Sequence, residues 1–147
     1  AHKGIGLAAQ QVGVPLQLTV IDVRGVTDRP SSMEKNGKTM DVGRQMPMVL
    51  INPQVRPVGA VVAGPEGCLS FPGIFEKIHR PQKVRVEAQD GEGKPFSIEA
   101  EGFLARALCH EIDHLEGRLM IDHLSPLKRE IVRKKLLRRA REERNKF

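Results

Sequence analysis

His110-Glu111-Ile112-Asp113-His114 decides how this chain is read. The stretch has the form H-E-x-x-H. On a helix, residues four apart share a face, so both imidazoles can reach one metal ion. Glu111 sits beside that ion without having to ligate it, and can take a proton from a water the ion activates. Metal-assisted hydrolysis is the chemistry this spacing points to. The flanking residues predict a helix over 102–116. Phe103, Ala107, His110 and His114 follow the spacing of one face, and Leu104, Leu108, Glu111 and Leu115 run beside them. Burying the apolar members would place the histidines at the edge of a core. Gly117 reads as the cap that ends this helix, since glycine tolerates the left-handed backbone found there.

A chain of 147 residues suits one domain, 1–147, large enough to bury a core without staples. No apolar run approaches transmembrane length, and no secretory signal is visible. Two cysteines, Cys68 and Cys109, do not make a disulfide framework. In a reducing compartment they read as free thiols or metal ligands. The net charge is +6, and much of it lies at the C-terminus, where Pro126 to Phe147 holds ten Lys or Arg and three Glu. Trp and Tyr are absent and Phe occurs five times, which argues against a single-strand nucleic-acid binder built on aromatic stacking.

Along the chain, residues 4–13 form a small-residue segment and 16–23 predict a strand. Residues 24–47, rich in Gly, Pro, Ser, Asp and Asn, read as a long loop or flap. A strand resumes at 48–55, with Pro53 suggesting an edge or an end, and a short one at 58–63 leads into Pro65-Glu66-Gly67-Cys68-Leu69-Ser70. Residues 82–89 and 95–100 predict a hairpin around Asp90-Gly91-Glu92-Gly93. Ser125-Pro126 fits an N-cap with proline in the first helical position, opening a second, basic helix toward the C-terminus. In that helix Leu127 and Ile131 share one side, while Val132, Leu136 and Ala140 share another. Strands followed by helices predict an α+β fold, with mixed or antiparallel β-sheets packed around the H-E-x-x-H helix.

Two histidines do not complete a catalytic site, which usually takes three protein ligands and leaves a position for water. The pattern H-E-x-x-H-x-x-G-x-x-H matches through Gly117 but has Met120 where the last histidine belongs, which weakens a metalloprotease reading. Glu130 and later glutamates lie in a strongly basic helix, and Asp122 and His123 follow the glycine break without a motif. Cys109 points about 100° away from His110 and reads as a buried small hydrophobe. Cys68 lies far away in sequence; spacing alone leaves it open between a thiolate ligand and another buried thiol.

Three segments together resemble a known family. Gly4-Ile5-Gly6-Leu7-Ala8-Ala9-Gln10-Gln11-Val12-Gly13, Glu66-Gly67-Cys68-Leu69-Ser70 and His110-Glu111-Ile112-Asp113-His114-Leu115-Glu116-Gly117 are similar, in kind and order, to the three signature motifs of peptide deformylases. The likeness extends through Ile51-Asn52-Pro53, Gly93-Lys94-Pro95-Phe96 and Leu124-Ser125-Pro126-Leu127-Lys128, so it spans nearly the whole chain. It implies that Cys68, His110 and His114 bind the metal and that Glu111 is the acid/base. It implies that Gln11 and the backbone N–H of Leu69 stabilise the oxyanion, and that Ile5, Gly6 and Leu69 border the methionine side chain. The implied reaction is removal of the N-formyl group from the initiator methionine of new polypeptides, with release of formate. Fe²⁺ is the implied native metal, and Zn²⁺, Ni²⁺ or Co²⁺ can take its place.

Gln10 stands where the family most often has proline, a position of backbone shape rather than chemistry. Only Ala1-His2-Lys3 precede the glycine motif, where members usually carry a few dozen residues, so the usual N-terminal segment is expected to be absent. The implied partners are N-formylmethionyl nascent peptides and, through the basic C-terminal helix, the ribosome. No membrane and no sequence-specific nucleic acid is expected, and the implied location is a bacterial-type cytoplasm or an organelle. Two other readings compete: an H-E-x-x-H metalloprotease, and a basic ribosome- or RNA-associated module with a structural metal. Glu111 speaks against the second, because a purely structural site needs no carboxylate beside an open metal position.

Overall fold

The structure, a computed structural model, describes residues 6–8, 17–68, 71–116 and 123–145. Strands β1 (Gly6–Ala8), β2 (Leu18–Ile21), β3 (Ser31–Lys35), β4 (Lys38–Met40), β5 (Met48–Cys68), β6 (Phe71–Gln89) and β7 (Pro95–Gly102) precede helices α1 (Phe103–Leu115) and α2 (Pro126–Asn145). The strands hydrogen-bond in the order β1-β2-β5-β6-β7-β3-β4. The pairings β1–β2, β2–β5, β3–β4, β3–β7 and β6–β7 are all antiparallel, as an α+β reading requires. The chain divides into two compact units, one from residues 1–62 and 80–118, the other from 63–79 and 119–147.

In the first unit, strand alternation builds the core. Val84, Val86 and Ala88 of β6 are buried, while Arg85 and Glu87 between them face out. Val84 lies opposite Ala100 and Val86 opposite Ile98, so two buried cross-strand pairs meet on one face. Met33 of β3 adds to the same layer opposite Ala100. α1 packs against β1, β2, β3 and β7. Its Leu104 and Leu108 are fully buried and Ile112 is nearly so. Each such side chain contributes about 1.5–3 kcal/mol by leaving water.

The hairpin expected around residues 90–93 is present. Gln89 pairs with Pro95, and Asp90 Oδ1 accepts from the backbone N–H of Glu92 (2.9 Å) and of Lys94 (3.0 Å). The loop expected over 24–47 is not. It contains the β3–β4 hairpin, turned at Asn36-Gly37, where both residues have positive φ (50° and 84°). Two consecutive positive φ values define the turn type that joins twisted strands most easily, and Asn-Gly is its favoured pair. The strands expected at 48–55 and 58–63 are one strand, β5. Two of its irregular residues, Asn52 and Gly59, take positive φ. Pro53 lies just past Ile51, the last residue paired with β2, so it breaks none of the bonds between these strands.

In the second unit, α2 starts as expected. Ser125 Oγ accepts from the N–H of Lys128 at 3.3 Å, and the Ser125 carbonyl accepts from Arg129 at 2.9 Å. Of the two apolar sides, the one that packs carries Val132, fully buried, and Leu136, half-buried. Leu127 (73% exposed), Ile131 and Leu137 face solvent among the basic residues. No described helix is long and apolar enough to cross a membrane.

Candidate metal centre

α1 carries the motif as its spacing predicts. His110, Glu111 and His114 are all buried, and their ligand atoms lie within 4.8 Å of one another. His110 Nε2 and His114 Nε2 are 3.2 Å apart, with ring centroids 4.9 Å apart and planes at 66°. Two nitrogens held by one tetrahedral zinc at about 2.0–2.1 Å each would lie about 3.3 Å from one another. The nitrogens are therefore already at the separation a shared divalent cation requires. Two imidazoles are donors suited to such an ion, and the Glu111 carboxylate stands beside them. Among the described residues, Glu111 Oε2 is a buried oxygen with no hydrogen-bond partner, on the carboxylate next to that pair. The residues fit a metal.

Distant parts of the first unit hold the helix in place. At its start, Phe103 N–H donates to the Pro30 carbonyl and Leu104 N–H to Ser31 Oγ, both at 2.9 Å. These bonds satisfy two of the donors that a helix N-terminus leaves open. Gly102, at φ 78°, makes the turn into the helix; a methyl there would run into the Pro30 carbonyl. At its end, Gln17 Nε2 donates to the Leu115 carbonyl at 3.1 Å, and Glu116 N–H to Ile112 and Asp113. Along its length, Arg106 Nη2 donates to the Val62 carbonyl at 3.0 Å, and Asp113 forms an ion pair with Arg80 at 2.5 Å. Pro30, Ser31, Gln17, Arg80 and Arg106 are the supporting residues that sequence reasoning missed. Only a buried arginine inside a motif helix offered a signal, and its partner could not be named from sequence.

Cys109 is a buried thiol, in no disulfide, within the hydrophobic core, as its place on the helix suggests. Cys68 is the last residue of β5. Gly6 lies in β1, its backbone opposite Ile21. Ile5, Gln11, Leu69 and the capping Gly117 lie outside the described residues.

An α+β arrangement with a buried H-E-x-x-H helix defines a class, the hydrolases that work with a metal ion. The polypeptide deformylase family model matches residues 1–130. A peptide deformylase of Methylacidiphilum infernorum is 46% identical over 135 residues, covering 92% of this chain and 70% of that protein. The crystal structure of a peptide deformylase from Legionella pneumophila is 41% identical with a TM-score of 0.74, covering 95% of this chain and 73% of that one. The peptide deformylase of Synechococcus elongatus, solved in complex with actinonin, is 38% identical with a TM-score of 0.71, covering 90% and 63%. This chain belongs to the polypeptide deformylase family. It is a metal-dependent hydrolase, and the reaction of the family is removal of the N-formyl group from nascent polypeptides.

Proposed function

We propose that this chain acts as one catalytic domain in which Cys68, His110 and His114 hold a single divalent cation and Glu111 moves the proton. The observation that carries this reading is the 3.2 Å convergence of the two Nε2 atoms beside the Glu111 carboxylate. Cys68 is assigned on its Glu-Gly-Cys-Leu-Ser motif, which resembles that of the family. When bound, the cation supplies Lewis acidity, which makes a water acidic enough to lose a proton near neutral pH and polarises a carbonyl. Glu111 takes that proton as the water oxygen bonds to the formyl carbon, then gives it to the amine nitrogen as the C–N bond breaks. Formate and a free methionine amine are the products. The Gln11 amide and the Leu69 N–H donate to the oxygen that gains negative charge. Ile5, Gly6 and Leu69 line the methionine position, where a glycine lets a peptide backbone come close.

Fe²⁺ is the cation we assign, with Zn²⁺, Ni²⁺ and Co²⁺ as substitutes. The test is formate release from a formyl-Met peptide, read together with bound metal and with peptide integrity. Formate release that requires metal, stops with actinonin and leaves the peptide bonds intact is the expected result. Peptide-bond cleavage, or full metal without formate, would overturn the reading. Anaerobic Fe²⁺ protein should lose activity in air as the ion and the Cys68 thiolate oxidise. Equal, air-stable activity with every metal would remove Fe²⁺.

We further propose that α2 docks on the ribosome in the compartment where formylated chains are made. Leu127, Ile131 and Leu137 stand exposed on a helix that carries Lys134, Lys135, Arg138, Arg139 and Arg141, residues suited to phosphate-rich RNA. Removing residues 134–147 should weaken co-sedimentation with ribosomes, most clearly at low salt, and spare hydrolysis of a short peptide. Unchanged co-sedimentation would make the helix a solvated one.

A further inference from the structure

Two buried charges tie α1 to the sheet on either side of His110. Arg106 stands about one turn before His110 and Asp113 nearly one turn after it, on one stripe of the helix. Arg106 is 7% exposed and donates to the Val62 carbonyl of β5 at 3.0 Å. Arg80 of β6 is 4% exposed and donates to Asp113 Oδ2 at 2.5 Å. All of these residues belong to the first unit. Burying an ion costs several kcal/mol before its partner offsets it, so apolar contacts would hold a helix more cheaply. α1 already has such contacts in Leu104, Leu108 and Ile112. What apolar contacts leave loose is rotation and axial height, and a directional bond from a buried guanidinium restricts both. Arg106 reaches β5 from the helix and Arg80 reaches the helix from the adjacent strand β6, so together they set two points on the line that runs past His110.

We propose that Arg106 and Arg80 are positioning residues: through Val62 and Asp113 they fix the rotation and height of α1, and with them the place in the core where His110 and His114 present their ring nitrogens to a cation. The inference rests on the reading that these histidines hold a divalent cation. The experiment uses Co²⁺ as the probe, since its visible spectrum reports ligand geometry apart from any turnover. Arg106→Met removes one anchor at similar volume. Arg80→Met with Asp113→Leu removes both members of the other ion pair together, and the melting temperature is recorded beside the metal readouts. In both proteins Co²⁺ affinity should fall about tenfold or more, the size seen when residues supporting metal ligands are lost. The Co²⁺ spectrum should change with it.

Folded variants that bind Co²⁺ within about twofold of the parent, with its spectrum, would overturn the proposal, whatever their melting temperature. Should an apolar variant fail to fold, Arg106→Lys or Arg80→Lys takes its place under the same criteria. His110→Ala separates the two claims. If it binds Co²⁺ as well as the parent does, the metal reading falls and the positioning role with it. If it loses Co²⁺ while the anchor variants keep it, only the positioning role falls.

Discussion

Gly102→Ala should destabilise the first unit more than any ordinary surface substitution. Gly102 sits at φ 78° and ψ −137°, where α1 begins. Side chains other than hydrogen rarely adopt such a backbone, and holding one there costs about 1–3 kcal/mol. The new methyl would also press on the Pro30 carbonyl, whose carbon lies 3.2 Å from the ideal Cβ position. That carbonyl accepts the Phe103 N–H at 2.9 Å, so moving it weakens a helix-end bond of about 0.5–1.5 kcal/mol. Together the two effects come to about 2–4 kcal/mol. In a chain of this size each kcal/mol shifts the melting temperature by about 2–4 °C, so a drop of about 5–15 °C is expected. Scanning calorimetry on Gly102→Ala beside Gly91→Ala is the assay. Gly91 has open space around it and no strained φ, so its variant should stay within about 0.5 kcal/mol of the parent. A Gly102→Ala protein that melts within a degree or so of the parent would refute the reasoning.

Glu111→Gln should keep its metal and lose about 10²–10⁴ in formate release, since an amide cannot carry the proton; metal content and turnover on one preparation test this, and near-normal turnover with full metal would remove Glu111 from the reaction. Leu108→Ala, at a fully buried core position, should cost about 2–5 kcal/mol in urea unfolding, and a loss under 1 kcal/mol would mean that the core closes around the gap. The N–H groups of Lys94 and Glu92 hold the Asp90 carboxyl below the ordinary aspartate value. Its bonds in the turn are thus present above that ordinary value and are lost as pH falls through the lowered one. An NMR titration following the Glu92 and Lys94 amides should place the midpoint below the free-aspartate range, and a midpoint at or above about 3.9 would contradict the turn geometry.

Features legible in the sequence were the local ones. His110, Glu111 and His114 announce themselves because one helical turn brings them together, and the turn after Gln89 because glycines and an Asx residue cluster there. Cys109 reads correctly as core because its neighbour fixes which way it points. The β3–β4 hairpin was hidden because its strands are mostly polar. Met33 is the one buried residue of β3, so no apolar alternation marked it, although Asn36-Gly37 was there to be read. β5 looked like two strands because Asn52, Pro53 and Gly59 resemble breaks, and only pairing partners let a strand carry them. Arg80 could not be matched to Asp113, nor Gln17 to Leu115, since those pairs are 33 and 98 positions apart.

Those separations bear on how the chain comes to work at all. α1 is the last element of its unit in chain order, yet Ser31, 73 positions upstream, and Gln17, 98 positions upstream of its partner, hold the two ends. Contacts across such spans form late, because the entropy of closing long loops is lost before any bond rewards it. During synthesis the segments that supply both ends emerge first, and the helix docks onto them afterwards. The two histidines, paired by one helical turn, are therefore seated in the core by the same event that completes the unit. A cation that binds the pair only once it is seated adds its binding energy to the folded state alone. Metal supply should then govern how much of this protein survives heat and proteases, as well as how much of it is active.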